Sequence, residues 1–240
     1  MRWSTVLFVL GAVCAAALFV GLGFWQLDRL DQRRGRNAII AARIRFSPID
    51  LARLAGDTSV THYRRVRVSG HPDFDRDLAL TLRGHSGSPG VDVLTPVLVA
   101  GSDSAILVNR GWVYAPDGMT TDLSKTRESD TTFHGYVEEF ESGTGDSVRL
   151  NGIRRPNYAG IARVLPYPIR RFYIVATSDS AAASGRPVVR LAPPVLDDGP
   201  HLSYAFQWFS FAVIALVGGG FVTARSMQPA QRSVSDEGSL

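Results

Sequence analysis

The chain has 240 residues, of which 45% are hydrophobic, and a formal net charge of +4 at pH 7. This length leaves room for one ordinary globular domain besides long hydrophobic segments. The basic residues are dispersed among acids, with a single lysine and no basic block, which argues against nucleic acid as a partner. Cys14 is the only cysteine, so intrachain disulfides, CxxC redox chemistry and cysteine-based copper or zinc sites are excluded.

A hydrophobic segment opens the chain. Residues 3–27 carry no charged side chain, and a helix needs about 20 apolar residues to cross a bilayer. Trp3 and Trp25 stand near the two ends, where aromatic side chains anchor at lipid–water interfaces. The apolar run is too long for a signal-peptide core and continues past the small residues at 15–17. We therefore predict an uncleaved N-terminal transmembrane helix over residues 1–28.

A second uncharged segment lies near the other end of the chain. Residues 202–224 carry no charge, so we predict a C-terminal transmembrane helix over residues 201–225 and a disordered tail over residues 226–240. If both helices span the bilayer, residues 29–200 lie wholly on one side as an extramembrane domain. The chain is then a two-pass membrane protein whose obligatory partner is the lipid bilayer.

The two predicted helices meet the water at the same interface, which groups Trp25 and Gln26 with His201. Arginines directly after the first helix favour a cytoplasmic domain by the positive-inside rule, although long loops obey that rule poorly. They are expected to form a solvated or headgroup-facing surface, and helix is expected to continue to residue 45 with a possible break at Gly35. These arginines are Arg29, Arg33, Arg34 and Arg36.

The central region changes from helical to strand periodicity at residue 63. Alternating or β-branched runs are separated by short segments rich in Gly, Pro and Asp, which favours antiparallel hairpins. The fold class predicted for residues 29–200 is therefore α+β with a mostly antiparallel β-sheet. Strands are predicted at residues 63–69, 78–82, 91–100, 105–112, 132–140, 172–176 and 188–191, and short helices at 50–54 and 158–165.

No catalytic motif emerges from the central region. The loop RGHSGSPG at residues 83–90 lacks the second glycine of a nucleophile elbow and the Gly-Lys-Ser/Thr ending of a phosphate loop, so it is interpreted as a hairpin. The histidines there lack a second ligand at zinc-site spacing on a predicted helix. Alternating acids at residues 73–77 lack the glycine and distal Glu of a calcium loop. We nominate no acid–base pair and predict that the protein is not an enzyme.

His201 stands at the start of the second hydrophobic helix and has two interpretations. Its imidazole could hydrogen-bond lipid headgroups, or it could be the axial ligand of a haem, which also needs a flat aromatic wall and polar groups near the propionates. At helical spacing, Tyr204, Trp208 and Phe211 fall near the same face, and Trp25 shares their interface. Close helix approach is predicted through small residues four apart, Ala17 with Gly21 and Ala215 with Gly219.

Five short sequence motifs, in this order, resemble those of the surfeit locus protein one (Surf/Shy) family of cytochrome c oxidase assembly factors. They lie within or between the two hydrophobic segments and are distributed along the whole chain except its tail. The segment RRPNYAGI at residues 154–161 departs from the family pattern because it lacks an Asp, so residues 149–165 match least well. The five motifs are GLGFWQLDRL (21–30), YRRVRVSGHPD (63–73), GVDVLTPVLV (90–99), ILVNRGWV (106–113) and HLSYAFQWFSFA (201–212).

The resemblance implies a bacterial inner-membrane protein with a periplasmic central domain and both termini in the cytoplasm. It implies that the protein helps to insert or stabilise haem a in the catalytic subunit of cytochrome c oxidase, with an enzyme of haem a synthesis as a further partner. His201 occupies the position of the family histidine implicated in haem a binding, as a transient iron ligand. Cofactor-binding residues are accordingly His201, Tyr204, Trp208 and Trp25.

Two functional hypotheses share these features and differ in their need for His201. In the first, the protein handles haem a beside the oxidase. In the second, it is a membrane scaffold that stabilises oxidase subunit intermediates and never ligates haem. A periplasmic enzyme would require a clustered nucleophile and base, and copper delivery would require soft ligands, so neither is favoured.

Overall fold

The computed structural model describes residues 3–54, 61–142, 148–178 and 187–227. It divides into two compact units, a helical unit of residues 1–38 and 196–240 and a domain of residues 39–195. The predicted tail lies outside the described residues from position 228 onward. The helices are α1 (Trp3–Arg45), α2 (Tyr158–Ala162) and α3 (His201–Met227), with 3₁₀ turns at Leu51–Arg53, Phe74–Arg76 and Leu123–Thr126.

The helices α1 and α3 are both long and apolar enough to cross a membrane, which fits a two-pass membrane protein. The helix α1 runs for 43 residues without a break at Gly35. Its later turns are rich in Leu, Ala, Arg and Gln, which are good helix formers, and it ends just before Pro48, which disfavours helix in the residue before it. The prediction that helix continues beyond the first span is confirmed.

Within the helical unit, α1 and α3 pack antiparallel along a seam. The residues that form this seam recur every three or four positions along each helix. Phe19 stacks on Trp208, and a Cβ atom at Gly23 would lie 2.5 Å from the Phe209 ring. A seam of this period is typical of close left-handed helix pairs. The side chains buried or partly buried along it are Thr5, Ala12, Ala16, Phe19, Gly23, Gln26 and Leu30 in α1, and His201, Ala205, Trp208, Ala212, Ala215 and Gly219 in α3.

The prediction that pairs of small residues permit close approach of the helices is correct for Ala215 and Gly219 in α3 and wrong for Ala17 and Gly21 in α1. Gly219 would bring a Cβ atom to 3.2 Å from Ala12, so its missing side chain permits close approach. Ala17 and Gly21 are exposed, and nothing lies within 4 Å of a Cβ atom built at Gly21. The seam instead passes through positions 16 and 23, because the three–four spacing selects a different face from the one that Ala17 and Gly21 occupy.

The domain is built on a nine-stranded sheet that is mostly antiparallel, which confirms the predicted α+β class. The order along the sheet is β1-β2-β7-β9-β6-β5-β4-β8, with β3 paired to β5. Three pairs are parallel, namely β1 with β2, β4 with β8 and β6 with β9. The strands are β1 (Ile49–Asp50), β2 (Arg65–Ser69), β3 (His71–Pro72), β4 (Leu78–His85), β5 (Ser88–Leu98), β6 (Ala105–Tyr114), β7 (Thr132–Glu139), β8 (Gly152–Ile153) and β9 (Ile169–Ala176).

The predicted hairpin at residues 83–90 is confirmed, with β4 and β5 extending into it. His85 pairs with Ser88, and the two residues between them, Ser86 and Gly87, have φ values of 49° and 80°. Positive φ at both central residues is the geometry of a type I′ turn, which matches the twist of a hairpin. The last predicted strand, residues 188–191, is wrong as a strand, since only isolated bridges form at Val189 and Leu191.

Each face of the sheet carries its own hydrophobic core. Phe172 and Ile174 of β9 point into one core, whereas Tyr173 and Val175 point into the other, as strand alternation requires. The second core also takes Ile161, which α2 contributes. The long central strands are buried on both sides, which explains their nearly continuous runs of Val, Ile and Leu.

A fully buried arginine crosses the domain core. Arg110 donates four hydrogen bonds, to Thr95 Oγ1 at 2.6 Å, the Thr126 carbonyl at 2.6 Å, Thr126 Oγ1 at 3.1 Å and Asp77 Oδ2 at 2.9 Å, and its Nη1 lies 3.3 Å from Glu128 Oε1 in an ion pair. Burial raises the pKa of Asp77 to about 6, against the opposing pull of Arg110 and Thr95. Because these contacts tie several segments of the domain together, Arg110 acts as a structural crosslink.

Candidate functional site

His201 is the first residue of α3, and its backbone position is set by the turn before it. Gly199 has a φ of 65°, a left-handed conformation that glycine adopts without strain. The Pro200 carbonyl then accepts hydrogen bonds from the Tyr204 N–H at 3.1 Å and from the Ser203 hydroxyl at 2.8 Å. The imidazole therefore projects from a defined helix start.

The imidazole of His201 contacts a buried amide on the other helix. Its Nδ1 atom lies 2.9 Å from Oε1 of Gln26, which is 9% exposed. An unpaired amide at such a position costs about 1–3 kcal/mol, so this contact stabilises the helix pair as well as fixing the ring. Gln26 was predicted to share the interface of His201, but the sequence did not identify it as a site residue.

Two arginines of α1 hold the segment that leads into α3. Arg33 forms an ion pair with Asp197, and Arg34 donates to Asp198 from Nε at 2.9 Å and Nη2 at 2.6 Å. Asn37 donates to the Asp197 carbonyl at 2.8 Å. The hydrogen bond from Arg34 lowers the pKa of the exposed Asp198 carboxyl.

Arg33 and Arg34 stay exposed, as expected of a solvated surface, but they also pair with the acids before α3, which the sequence did not predict. Exposed ion pairs contribute little to stability. Their effect is geometric, because they hold the chain just before His201 at two successive residues. The signal that could have found them is the opposite charge of the Asp197–Asp198 dipeptide, four residues before the helix starts.

The aromatic residues near His201 divide between the seam and its flanks. Trp208 stacks on Phe19 with centroids 5.8 Å apart, and Phe211 contacts both rings. Tyr204 is 47% exposed, and Trp25 is 49% exposed and lies beneath the Arg29 guanidinium at 5.5 Å. The structure thus brings His201 together with Gln26, keeps Trp208 in the seam, and leaves Tyr204 and Trp25 facing outward.

The helical face predicted around His201 is divided between the seam and its flank. His201, Trp208 and Ala215 lie on the seam, whereas Tyr204 and Phe211 are exposed and Ala205 and Ala212 are buried. The reason is steric, because alanines allow the helix backbones to approach while aromatic rings would hold them apart. Tyr204 and Phe211, seven residues apart, consequently share one flank of the seam.

This arrangement suits a group that needs one protein ligand and an apolar surface. Among the described residues, no three His, Cys, Asp or Glu side chains cluster in a way that could hold a metal ion. A porphyrin supplies four ligands of its own, so a single imidazole suffices on the protein side. His201, with Nδ1 engaged by Gln26 and with the exposed rings of Tyr204 and Phe211 further along the same helix, could hold such a group.

His62 of the domain pairs with a carboxylate that the sequence did not link to it. His62 Nε2 lies 2.6 Å from Glu138 Oε1, and the His62 ring stacks on Tyr63 with centroids 3.8 Å apart. Glu138 lies on β7, and its side chain is 23% exposed. The two residues are 76 positions apart, so their pairing depends on the register of β7.

Comparison with known proteins identifies the family. A SURF1 family profile matches residues 13–213. An uncharacterized SURF1-like protein of Mycobacterium tuberculosis is 25% identical over 238 residues, covering 89% of this chain and 81% of its own, and a SURF1-like protein of Rickettsia bellii is 26% identical, covering 93% and 95%. Surfeit locus protein 1 of Gallus gallus is 28% identical over 172 residues, covering 65% and 50%. Since the profile spans both membrane-type helices and the domain between them, the chain belongs to the SURF1 family.

Proposed function

We propose that this protein is a membrane-anchored assembly factor for cytochrome c oxidase that assists haem a insertion or stabilisation in the catalytic subunit. Family membership supports the oxidase role. The observation that supports the haem role is the position of the His201 imidazole at the start of α3, where its Nδ1 atom lies 2.9 Å from Oε1 of Gln26. The central domain then lies in the periplasm, and both termini lie in the cytoplasm of a bacterial inner-membrane protein.

His201 is the residue that would hold the haem iron. Haem a, when bound, would supply a redox-active iron that accepts an imidazole ligand from the protein. Tyr204 and Phe211 provide apolar surface on one flank of α3. Trp25 of α1 lies at the same lipid–water interface as His201. Trp208 supports His201 from within the seam because its stack on Phe19 keeps the helices in place. The partners are the oxidase catalytic subunit, an enzyme of haem a synthesis and the bilayer.

A second candidate is a scaffold that stabilises oxidase subunit intermediates without ligating haem. The packing of the helix pair favours it in one respect, since the stack of Trp208 on Phe19 occupies the seam between the helices. A planar ligand of His201 would have to use the exposed flank of α3. In this alternative, the imidazole serves only to pair with Gln26.

Complementation of a strain that lacks this protein separates the two functions. The test compares wild type, His201→Ala and His71→Ala, the last altering an exposed histidine of the domain as a control. Haem handling predicts that His201→Ala lowers the haem a content per oxidase catalytic subunit at least several-fold while His71→Ala restores it fully. Normal haem a content with His201→Ala, at equal membrane levels of the variants, would support the scaffold.

A further inference from the structure

We infer that Gln26 is a positioning residue that selects the tautomer of His201 and thereby presents Nε2 as the ligand atom. This inference rests on the proposed haem role, but the tautomer itself is a property of the protein alone. A neutral imidazole has one N–H donor and one acceptor nitrogen. Because Oε1 of Gln26 can only accept and lies 2.9 Å from Nδ1, this placement puts the proton on Nδ1.

The surroundings of Gln26 keep its amide aimed at the histidine. Leu30, one turn further along α1, is 3% exposed, and Gly23, one turn back, is buried against Phe209. Across the seam, Ala205 is buried one turn after His201. Because Gln26 is only 9% exposed, losing the contact with Nδ1 would leave a largely buried amide oxygen without its partner.

The consequence for His201 is electronic as well as geometric. Histidines that bind metals generally donate their other ring N–H to a neighbouring acceptor, which fixes ring orientation and raises the basicity of the ligating nitrogen. Removal of such a partner typically weakens metal affinity by about 10–100-fold. Gln26 stands in that relation to His201, from a helix 175 residues away in sequence.

The direct test is nitrogen NMR of the metal-free protein labelled with ¹⁵N-histidine, in lipid nanodiscs. The His201 signals are identified by their disappearance in His201→Ala. We expect Nδ1 to be protonated and Nε2 unprotonated in the wild type, and the Nε2–H form to become dominant in Gln26→Met, which keeps the side-chain length but cannot accept a hydrogen bond. Gln207→Met, which alters an exposed glutamine of α3, is the matched control and leaves the His201 signals unchanged.

A haem titration of the same proteins measures the effect on ligation. Gln26→Met is expected to weaken haemin binding at least tenfold, whereas Gln26→Glu, whose carboxylate also accepts from Nδ1–H, retains binding and lowers the reduction potential of the bound haem. A wild-type His201 protonated on Nε2, or Gln26→Met with an unchanged tautomer, overturns the inference. If His201→Ala and wild type both fail to bind haem while the NMR result holds, the proposed haem role fails and the tautomer assignment stands.

Discussion

The domain and the helix pair bury polar groups in opposite ways. In the domain, Arg110 is fully buried and is held by four hydrogen bonds and by ion pairs with two carboxylates. In the helix pair, the polar contact engages one of the two imidazole nitrogens of His201. A guanidinium held in this way serves to hold structure together, whereas an imidazole with one nitrogen engaged retains a group that can bind a ligand.

The two regions should also differ in how strongly a mutation lowers the stability of the protein. Breaking a buried ion pair leaves an uncompensated charge inside the protein, so the domain should depend strongly on Arg110. The contact between Gln26 and His201 is a single hydrogen bond, whose net contribution is about 1 kcal/mol. Mutation of Arg110 should therefore destabilise the domain, and mutation of His201 should change what the protein binds.

The largest expected effect comes from Arg110→Met. This change leaves Asp77 buried without its guanidinium partner, and we expect a loss of about 3–5 kcal/mol in the free energy of unfolding, measured by denaturant titration in detergent. The control is Arg67→Met, because Arg67 pairs with Asp50 at 2.8 Å on the exposed surface. That variant should lose less than about 1 kcal/mol. Equal losses in the two variants would contradict a crosslinking role for Arg110.

The next effect concerns pH and Asp77, whose pKa is raised to about 6 by burial. A carboxyl with a raised folded-state pKa binds more protons folded than unfolded, so its contribution to stability is full below about pH 4 and is lost as pH rises through 6. Each unit of pKa shift corresponds to about 1.4 kcal/mol, so the loss amounts to roughly 2–3 kcal/mol.

The variant Asp77→Asn isolates this contribution from other carboxyls. Asp117, for example, has its pKa lowered to about 2 by hydrogen bonds from Thr120 and Met119 and acts in the opposite direction. Denaturant titrations at pH 4 and pH 7 should show that wild type loses more stability than Asp77→Asn between the two. Parallel pH dependences of wild type and variant would show that Asp77 is already ionised at pH 4.

A smaller effect is expected at the seam of the helix pair. In Gly23→Ala, the new methyl group would lie 2.5 Å from the Phe209 ring, so the ring must move and we expect a loss of about 1–2 kcal/mol in thermal unfolding. In Gly21→Ala, the new methyl group meets open space, so stability should stay within about 0.5 kcal/mol of wild type. A reversed ranking would place the seam on the face of Gly21 and would remove Gln26 from contact with His201.

Most of the domain could be predicted from the sequence because its strands are long and bounded by turn residues. The hairpin at Ser86 and Gly87 carries its own local signal. The parallel pairs of β1 and β8 could not be predicted, since two-residue strands have no measurable periodicity. The position of β9 between β7 and β6 also escaped prediction, because strand order depends on contacts between distant residues.

The sequence predicts where the candidate site lies but not which side chains of α3 face the other helix. An imidazole at the start of an uncharged helix is visible in the sequence, and so is its interface with Trp25. Whether Tyr204 or Ala205 faces the other helix is not visible, since both continue the helical stripe that begins at His201. The choice is made by packing, which requires small residues where two helix backbones come close, and that packing brings Gln26 to His201.

The most direct measurement is the haem a content of the protein purified from membranes of cells that make haem a. The account predicts a haem a absorption band in wild type and in His71→Ala, and at least a tenfold lower band in His201→Ala at equal protein yield. Retention of the full band by His201→Ala would contradict ligation by His201. Absence of the band from wild type, with oxidase assembly intact, would leave the scaffold as the function.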